Sequence, residues 1–476
     1  MWHLDKIPKI LHVYWGGSSL PKLRYLTIES FAKYNPDWEV RVYVPATPVE
    51  GHSWSTFEQK YDGEWNDWMP QVGEWLQTVM EFKELPQGMS EVHRSDYLRW
   101  NLLSTVGGLW ADMDILFFRS MDDLAVNVPE NKDAETVVCI NHYGHSIGFM
   151  MGCEGNKTFG AMARESLKEY SSSAYQCMGS TLFNKLFPTI ESIPRAVNLG
   201  MDAVYFHDAS QIKNIYKKSI SPKTNPHAIG IHWYAGHPLS GQFLAETGGG
   251  EYNIPDNLLG NILSEYIYEV NKGVFTTVYD NNLWGSEETK SGFGSEAKAT
   301  IYLKEQLPVL FKKYDITGLI DIGCGDFNWL KDVVGSLDHY LGIDVVDELI
   351  AHNNELYGNE KIKFKCGVAQ VSHSEYNEDK YNAVLMADVL VHLPHADVLV
   401  VLGSLAKSKI KYVFMTHFTE HGDNMNIQMG KLSWRAVNMT HEPFNMPPPL
   451  ESIPYNEPYN IGQGVKNDKT LSLWRL

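Results

Sequence analysis

Two aspartates two positions apart, Asp112 and Asp114, stand at the expected end of a buried strand. Side chains alternate along a strand, so both carboxylates should point to the same face. Their mutual repulsion raises the pKa of at least one of them unless a cation lies beside the pair. A divalent ion such as Mn²⁺ or Mg²⁺ accepts these oxygen ligands and neutralises a diphosphate leaving group. For an isolated triplet, a solvated pair at a strand end is the alternative.

A second group of acids and glycines begins at Asp321, where an apolar run enters a turn that contains Gly323 and Gly325. Glycines allow a tight turn and let a ligand approach the backbone. Asn328 stands in place of the third glycine of the dinucleotide fingerprint, which disfavours a nicotinamide cofactor. Asp344 ends the next apolar segment at the spacing where an acid binds ribose hydroxyls. Capping of the following helix is its alternative role.

The elements that must position these residues alternate between strand and helix. The first half should hold strands at 10–15, 39–44 and 109–118 and helices at 20–34 and 90–103; the second half should hold a helix at 257–270, a polar stretch rich in Gly and Ser at 273–295, and strands at 318–322, 340–343, 383–386 and 412–415. This alternation predicts an α/β fold, with a doubly wound parallel sheet in the second half. The length requires more than one core, and we expect two domains, 1–265 and 266–476.

Between 53 and 73 the sequence lacks a clean period and carries Trp54, Trp65 and Trp68. Their rings could stack on acceptor sugars, but interior packing is the commoner role of tryptophan, and we expect packing.

The overall composition favours small molecules or glycans as partners. A net charge of −18 disfavours binding of nucleic acid, and the chain has no apolar stretch long enough to span a membrane. Five scattered cysteines, without paired metal-ligand spacing, indicate reduced thiols. The first residues lack the features of a signal peptide, so we expect a cytoplasmic protein.

Residues 94–100 and 106–114 combine a helix that carries Asp and Arg, a Gly-Gly turn, and the two aspartates. Together with the aromatic segment 10–17, they resemble the DXD-containing glycosyltransferases, the family of fungal initiating mannosyltransferases and large clostridial glucosylating toxins. The resemblance implies a GT-A-like nucleotide-sugar domain. Trp110 and Ala111 depart from the tyrosine and leucine that are usual in the family.

The resemblance also implies roles for individual residues. Asp96 would hold ribose or sugar hydroxyls, Arg99 the donor sugar or diphosphate, and Trp15, flanked by Tyr14, the base. Asp112 and Asp114 would bind metal and nucleotide, with a UDP-sugar favoured as donor. The alternatives are an i,i+3 salt bridge between Asp96 and Arg99 and core packing of Trp15.

Late in the first half, residues 229–237 resemble the histidine-containing segment that completes the metal site in the same family. His232 is the preferred ligand, with His237 second; a buried histidine bonded to a backbone carbonyl explains His232 equally well. The family implies transfer with retention of configuration and no dedicated base. Asn141, after an expected strand at 136–140, is the candidate near the donor sugar.

The turn at Asp321 and the strand-end Asp344 resemble the class I S-adenosylmethionine-dependent methyltransferases, which have a Rossmann-like fold. By that resemblance Asp321, Gly323 and Gly325 approach the methionine end of the cofactor. Asp344 would bind the ribose.

A narrower resemblance, to methyltransferases often found beside bacterial glycan genes, rests on residues 279–285, 291–295, 388–394 and 443–447. It implies that Trp284, Ser291 and Gly292 close over the cofactor and that Asp388 belongs to the next motif.

Methyl transfer to a sugar hydroxyl benefits from a base near neutral pKa. His392 is the candidate base, with Asp388 beside it as a catalytic candidate. His417 is the alternative base, and for either histidine a purely structural hydrogen bond is possible.

The two resemblances predict a bifunctional enzyme of glycan assembly, which transfers a sugar from a nucleoside diphosphate donor to a glycan and O-methylates a sugar. Alternatively, the two halves act on unrelated acceptors, such as protein or modified nucleic acid. In a third interpretation the first half is only a glycan- or sugar-nucleotide-binding module that serves the methyltransferase. The intact pair Asp112 and Asp114 argues against that third interpretation.

Overall fold

The computed structural model describes residues 1–17, 19–48, 67–250, 254–371, 374–427, 432–456 and 468–476. The chain forms two compact units, Met1–Leu263 and Ser264–Leu476. Each contains a seven-stranded sheet flanked by helices, which confirms the α/β fold class. Within the described ranges, no helix is both long enough and apolar enough to cross a membrane.

The first unit is built on a mixed sheet of order β3-β2-β1-β4-β7-β6-β8, with a separate pair of strands, β5 and β9. Its elements are β1 (Ile10–Tyr14), α1 (Lys22–Tyr34), β2 (Glu39–Pro45), α2 (Met69–Val72), β3 (Leu76–Met80), α3 (Glu91–Thr105), β4 (Gly108–Ala111), β5 (Ile115–Phe117), β6 (Thr136–Asn141), β7 (Gly144–Gly152), α4 (Lys157–Ser166), α5 (Ser180–Leu186), β8 (Ala196–Asn198), α6 (Ile212–Lys217), β9 (Gly230–His232) and α7 (Pro238–Glu246). Strands β1 to β4 pair in parallel, whereas β7 is antiparallel to both β4 and β6.

Both faces of this sheet are buried. Leu11 and Val13 of β1 pack in one apolar cluster, and Tyr14 packs in another on the opposite face. Gly108, with a φ of 101°, enters β4 so close to β1 that an added Cβ would lie 2.5 Å from the Ile10 carbonyl oxygen. Only glycine therefore allows β4 to begin at this point, next to the central strand.

The predicted strand 109–118 is broken, and Asp112 and Asp114 lie in the turn between β4 and β5 rather than within a strand. The break occurs because β5 leaves the main sheet to pair with β9. The argument that strand alternation directs both carboxylates to one face was therefore wrong. The turn itself orients them.

The second unit has the sheet order β12-β11-β10-β13-β14-β16-β15. Its elements, with the helix that begins at the end of the first unit, are α8 (Leu258–Asp280), α9 (Ile301–Lys313), β10 (Gly318–Ile322), β11 (His339–Asp344), α10 (Asp347–Tyr357), β12 (Ile362–Cys366), β13 (Ala383–Met386), α11 (His395–Ala406), β14 (Tyr412–Phe418), β15 (Glu451–Pro454) and β16 (Lys469–Arg475).

Two expectations for this unit need correction. Strands β10 to β14 are parallel as predicted, but β16 is antiparallel to β14 and β15, so the sheet is mixed at one edge. Helix α8 continues to Asp280, into the stretch predicted to be polar, because Val278 supplies a further buried apolar side chain.

Candidate donor and cofactor sites

Asp112, Asp114 and His232 converge in the first unit. One potential ligand atom from each of them lies within 4.8 Å of the other two, and Asp114 Oδ1 is 3.1 Å from His232 Nε2. Pairing of β5 with β9 brings them together, since His232 stands opposite Ile115, the residue after Asp114. Two carboxylates and an imidazole form a donor set that divalent cations such as Mn²⁺ accept, so the residues fit a metal.

Asp114 is held ionised by its surroundings. Burial alone would raise its pKa, but His232, Arg24 and the Ala235 amide together hold that pKa well below its usual range. The Ala235 N–H donates to Asp114 Oδ2 at 3.0 Å. A carboxylate fixed in this way is ready to bind a cation without losing a proton.

Asp112 is oriented by two donors. Arg99 Nη2 and the Trp110 indole N–H each lie 2.8 Å from Asp112 Oδ1. Arg99 also pairs with Asp96 at 3.1 Å, so the i,i+3 salt bridge exists and extends to the turn. Trp110, which departs from the family's usual tyrosine, therefore supports the aspartate with a donor of its own.

Asp96 is buried beneath this pair. Desolvation raises its pKa to about 7, although the charge of Arg99 opposes the rise and that of Asp112 adds to it. Asp96 and Arg99 are each only 3% exposed. This buried pair supports the carboxylate cluster, because Arg99 also contacts Asp112.

Tyr14 and Trp15 are oriented by neighbouring side chains. The Tyr14 hydroxyl donates a hydrogen bond to the Glu91 carboxylate. The Trp15 indole N–H donates to the Ser19 carbonyl at 3.0 Å, and the Arg24 guanidinium lies 5.0 Å from its ring centroid. Trp15 is only 7% exposed, so it is also a core residue.

Three other candidates lie elsewhere. Asn141 Oδ1 accepts from the Tyr143 N–H in the turn between β6 and β7, about 13 Å along β7 from Gly148. His237 Nδ1 accepts from the Leu239 N–H at 3.1 Å and caps α7. Trp68 packs against Tyr25 and Lys22, as expected, whereas Trp54 and Trp65 lie outside the described residues.

Sequence reasoning missed Gly148 and Tyr205. A Cβ on Gly148 would lie 2.7 Å from Asp112 Oδ2 and 2.8 Å from the Tyr205 hydroxyl, so this strand glycine makes room for the carboxylate. A glycine inside a strand is itself a signal of close approach. Tyr205, which is buried with its ring centroid 5.0 Å from that of His232, gave no comparable signal.

In the second unit, a cavity of about 280 Å³ opens beside the β10 turn. The residues assigned from sequence to the cofactor or to methyl transfer line it together: Trp284, Ser291, Gly292, Asp321, Gly323, Gly325, Asp344, Asp388 and His392. His417 is not among the described lining residues; its Nδ1 accepts from the Met439 N–H at 3.2 Å.

The turn after β10 is a glycine cradle. Gly323 and Gly325 have φ angles of 72° and 54°, and the Gly325 N–H donates to Asp344 Oδ2 at 3.0 Å. A Cβ on Gly325 would lie 2.1 Å from Ser291 Oγ. Asp344 Oδ1 accepts from the Val346 N–H, so this carboxylate orders the turn as well as the start of α10.

Asp326 fastens the segment from Thr289 to Ser291 onto that cradle. Its carboxylate accepts from Thr289 Oγ1, the Lys290 N–H and Ser291 Oγ, at 2.7 to 3.1 Å. The Ser291 hydroxyl in turn accepts from the Asp326 N–H. One wall of the cavity is therefore hydrogen-bonded to the turn at its base.

Carboxylates dominate the base of the cavity. Burial raises the pKa of Asp321 to about 8, an effect that the hydrogen bond from Tyr340 opposes and the charge of Asp344 reinforces. Tyr340 donates to Asp321 Oδ2 at 2.7 Å. Acids and close-packed glycines fit a cationic cofactor that has an amino group and a ribose, such as S-adenosylmethionine.

His392 and Asp388 face the same cavity. Burial lowers the pKa of His392, against the effect of the Ser433 carbonyl, which lies 2.7 Å from Nδ1. That hydrogen bond places the proton on Nδ1 of the neutral ring and leaves the Nε2 lone pair as the basic site. Asp388, with a φ of 57°, pairs with Lys469, a buried lining residue of β16 that no sequence signal had indicated.

Family models match the first unit. Residues 21–130 match the model described as glycosyltransferase sugar-binding region containing DXD motif, and residues 76–234 match that of capsular polysaccharide synthesis protein. The expected resemblance to DXD-containing glycosyltransferases is confirmed there. None of the curated proteins compared with the chain matches it.

Several solved structures are similar to parts of the chain. The PaToxG glycosyltransferase aligns at 15% identity over 40% of this chain and 71% of its own, with a TM-score of 0.28. The methyltransferase domain of bacterial CtHen1 aligns at 13% identity over 37% of this chain and 100% of its own, with a TM-score of 0.28. Magnesium protoporphyrin IX methyltransferase (ChlM) from Synechocystis PCC 6803, solved with bound S-adenosylmethionine, aligns at 10% identity over 44% of this chain and 96% of its own, with a TM-score of 0.31.

The first unit carries a DXD glycosyltransferase sugar-binding region, and the second unit has a Rossmann-like sheet of mostly parallel strands. A DXD region implies a nucleotide sugar as donor.

Proposed function

We propose that the first unit transfers a sugar from a nucleoside diphosphate donor, a UDP-sugar by preference, to a glycan acceptor. The convergence of Asp112, Asp114 and His232 beside Arg99 carries this proposal. A bound Mn²⁺ or Mg²⁺ would supply charge neutralisation to the diphosphate leaving group. Arg99 adds a positive charge that orients Asp112, and Asp96, which pairs with Arg99, would hold donor hydroxyls as the resemblance implies.

We propose transfer with retention of configuration, which the resemblance to the DXD-containing glycosyltransferases implies. Under that mechanism the acceptor hydroxyl approaches on the side of the departing diphosphate, so the groups that matter are those that stabilise the leaving group. Asn141, the candidate near the donor sugar, accepts from the Tyr143 N–H through its Oδ1 and has no part in this proposal.

For the second unit we propose O-methylation of a sugar hydroxyl with S-adenosylmethionine as the methyl donor. The cavity that gathers Asp321, the glycine cradle, Asp344 and His392 carries this proposal. S-adenosylmethionine would supply the methyl group, whose bond to sulfur breaks as the acceptor oxygen bonds to it, leaving S-adenosylhomocysteine, and His392 Nε2 would accept the hydroxyl proton. Asp344 would hold the ribose, and Trp284, whose ring centroid lies 4.8 Å from that of His392, would close over the cofactor.

Hydrolysis of nucleoside diphosphate sugars in the presence of Mn²⁺ tests the first half. We expect the wild-type protein to hydrolyse one donor slowly and Asp112→Asn to lower kcat by about 100-fold, the cost of losing a group that stabilises the transition state. Asp122→Asn, at an exposed aspartate on the same unit, is the matched control. If no donor is turned over and Asp112→Asn changes nothing, the first unit is only a binding module.

Calorimetric titration with S-adenosylmethionine tests the second half. Asp344→Ala should weaken binding by about tenfold or more, because it removes the acceptor of two backbone N–H groups as well as the proposed ribose ligand. Asp347→Ala, at the exposed start of α10, is the control. A wild-type protein that does not bind the cofactor would contradict the methyltransferase assignment.

A further inference from the structure

Arg24 lies between two tryptophans of the first unit. Its guanidinium carbon is 5.0 Å from the centroid of the Trp15 ring and 5.2 Å from that of Trp233, and the residue is only 6% exposed. A cation over the face of an aromatic ring is attracted by the ring's electron density, more strongly when water is excluded. The two indoles are therefore held in place through one side chain of α1.

The second tryptophan is part of the metal-binding turn. The Trp233 backbone N–H donates to the Asp114 carbonyl at 2.9 Å, next to the Ala235 N–H that binds the Asp114 carboxylate. Arg24 thus packs against the expected base-stacking residue Trp15 and, through Trp233, is linked to the backbone of the expected metal ligand Asp114.

We propose that Arg24 is a positioning residue of the donor site, which couples the base-binding Trp15 to the diphosphate end at Asp114 and adds a permanent positive charge for a nucleoside diphosphate. This inference rests on the proposed glycosyltransferase function. Asp112 and Asp114 carry two negative charges, so a diphosphate approaches them only if cations outweigh them. Arg24, together with Arg99, which Asp96 and Asp112 share, reduces this repulsion before any metal binds, so a nucleoside diphosphate should show measurable affinity without metal.

Lys22 offers a matched control on the same helix. Lys22 is 2% exposed, and its Nζ lies 5.3 Å from the centroid of the Trp68 ring, so it is also a buried cation over a tryptophan. Its aromatic partner packs against Tyr25 rather than against the carboxylate cluster. Loss of Lys22 should therefore affect folding stability in the same way as loss of Arg24 without affecting the donor site.

The test measures nucleotide binding by calorimetry, first without metal and then with Mn²⁺, for full-length wild type, Arg24→Met, Arg24→Lys and Lys22→Met. Wild type is titrated with UDP, GDP, CDP and ADP, and the tightest ligand is used for the variants. We expect Arg24→Met to weaken metal-free binding by about tenfold, Arg24→Lys to restore part of it because the charge returns without the planar stack, and Lys22→Met to stay within about twofold of wild type.

Thermal unfolding shows which variants are folded. If Arg24→Met does not fold, Arg24→Lys decides, with binding several-fold weaker than wild type expected. A folded Arg24 variant that binds the nucleotide as well as Lys22→Met does would overturn the inference and leave the proposed function intact. Failure of the wild type to bind any of the four nucleotides would instead overturn the donor site itself, and the inference with it.

Discussion

At the scale of single residues, buried polar groups place the carboxylate cluster as much as apolar packing does. His12 is fully buried in β1, where its Nδ1 meets the Tyr43 hydroxyl at 2.9 Å and its Nε2 meets the Gly107 carbonyl at 2.8 Å. Because a carbonyl only accepts, the proton resides on Nε2, and Nδ1 accepts from tyrosine. A neutral histidine therefore fastens the central strand to the turn that leads into the DXD segment.

This histidine should make the protein sensitive to acid. Burial lowers the pKa of His12 from 6.5 to about 4, partly offset by the Gly107 carbonyl. The unfolded chain takes up the proton first, so the free energy of unfolding falls as pH drops from 6.5 toward 4, by about 3 kcal/mol in total. His12→Gln, which does not titrate, should lack that component.

Urea unfolding at pH 7 and at pH 4.5 gives the loss in free energy of unfolding for wild type and for His12→Gln. The difference between these two losses is the contribution of His12, because the other groups that titrate in this pH range are present in both proteins. Buried acids such as Asp96 act in the opposite direction, because their raised pKa stabilises the folded state as pH falls. The exposed His227→Gln is the control. Equal losses of stability in wild type and His12→Gln would show that His12 is not the sensitive group.

At the scale of elements, the sequence predicted those helix and strand bounds that neighbouring residues determine. Helix α3 begins after Ser90, whose side chain caps the His93 N–H, and the strands β10 and β13 have the predicted bounds. The aspartates of the turn were found because their spacing to the helix that bears Arg99 is local. The sequence did not predict the orientation of these aspartates, because it depends on the pairing of β5 with β9, which lies more than a hundred residues later.

The same limit explains Lys469. It reaches the cavity from β16, which runs antiparallel between β14 and the edge strand β15 of a sheet that the alternating pattern predicted to be parallel throughout. Trp110 is the reverse case, because its departure from the family pattern was visible in the sequence but its hydrogen bond to Asp112 required the structure. Non-local pairing, rather than residue chemistry, is what the sequence alone did not provide.

The glycine cradle gives a prediction about the turn as an element. Gly325→Ala would place a Cβ 2.1 Å from Ser291 Oγ at a φ of 54°, so the turn and the 289–291 segment cannot both keep their positions. We expect binding of S-adenosylmethionine to weaken by about tenfold or more, because an L-residue is strained there and the wall of the cavity must move. Calorimetric titration gives the dissociation constant.

Gly335→Ala is the matched control, since an added Cβ there meets nothing within 4 Å. Ser291→Gly combined with Gly325→Ala separates the two causes, because it removes the steric clash but keeps the strained φ. Undiminished affinity in Gly325→Ala alone would mean that the cofactor does not depend on this turn.

At the scale of the whole molecule, each proposed site lies entirely within one compact unit. Among the described residues, the carboxylate cluster belongs to Met1–Leu263, and those that line the cavity belong to Ser264–Leu476. Neither set of groups needs the other for its chemistry. If the two units act in glycan assembly as proposed, their fusion would favour handing a common glycan product from one to the other.

Complementation between full-length variants tests that handover. Asp112→Asn impairs the proposed glycosyltransferase, and Asp344→Ala impairs the proposed methyltransferase when S-adenosylmethionine is kept below saturation. In an equimolar mixture the two intact sites are therefore on separate chains. Tethering gives an effective concentration of about 1 mM, so at about 1 µM protein the wild type should form the glycosylated and methylated product well before the mixture does. Mass spectrometry of the acceptor glycan over time gives both rates. Equal rates for wild type and mixture at this dilution would show that the two units do not pass on a product. If the wild type methylates the acceptor at the same rate when the sugar donor is left out, the two units act on unrelated acceptors.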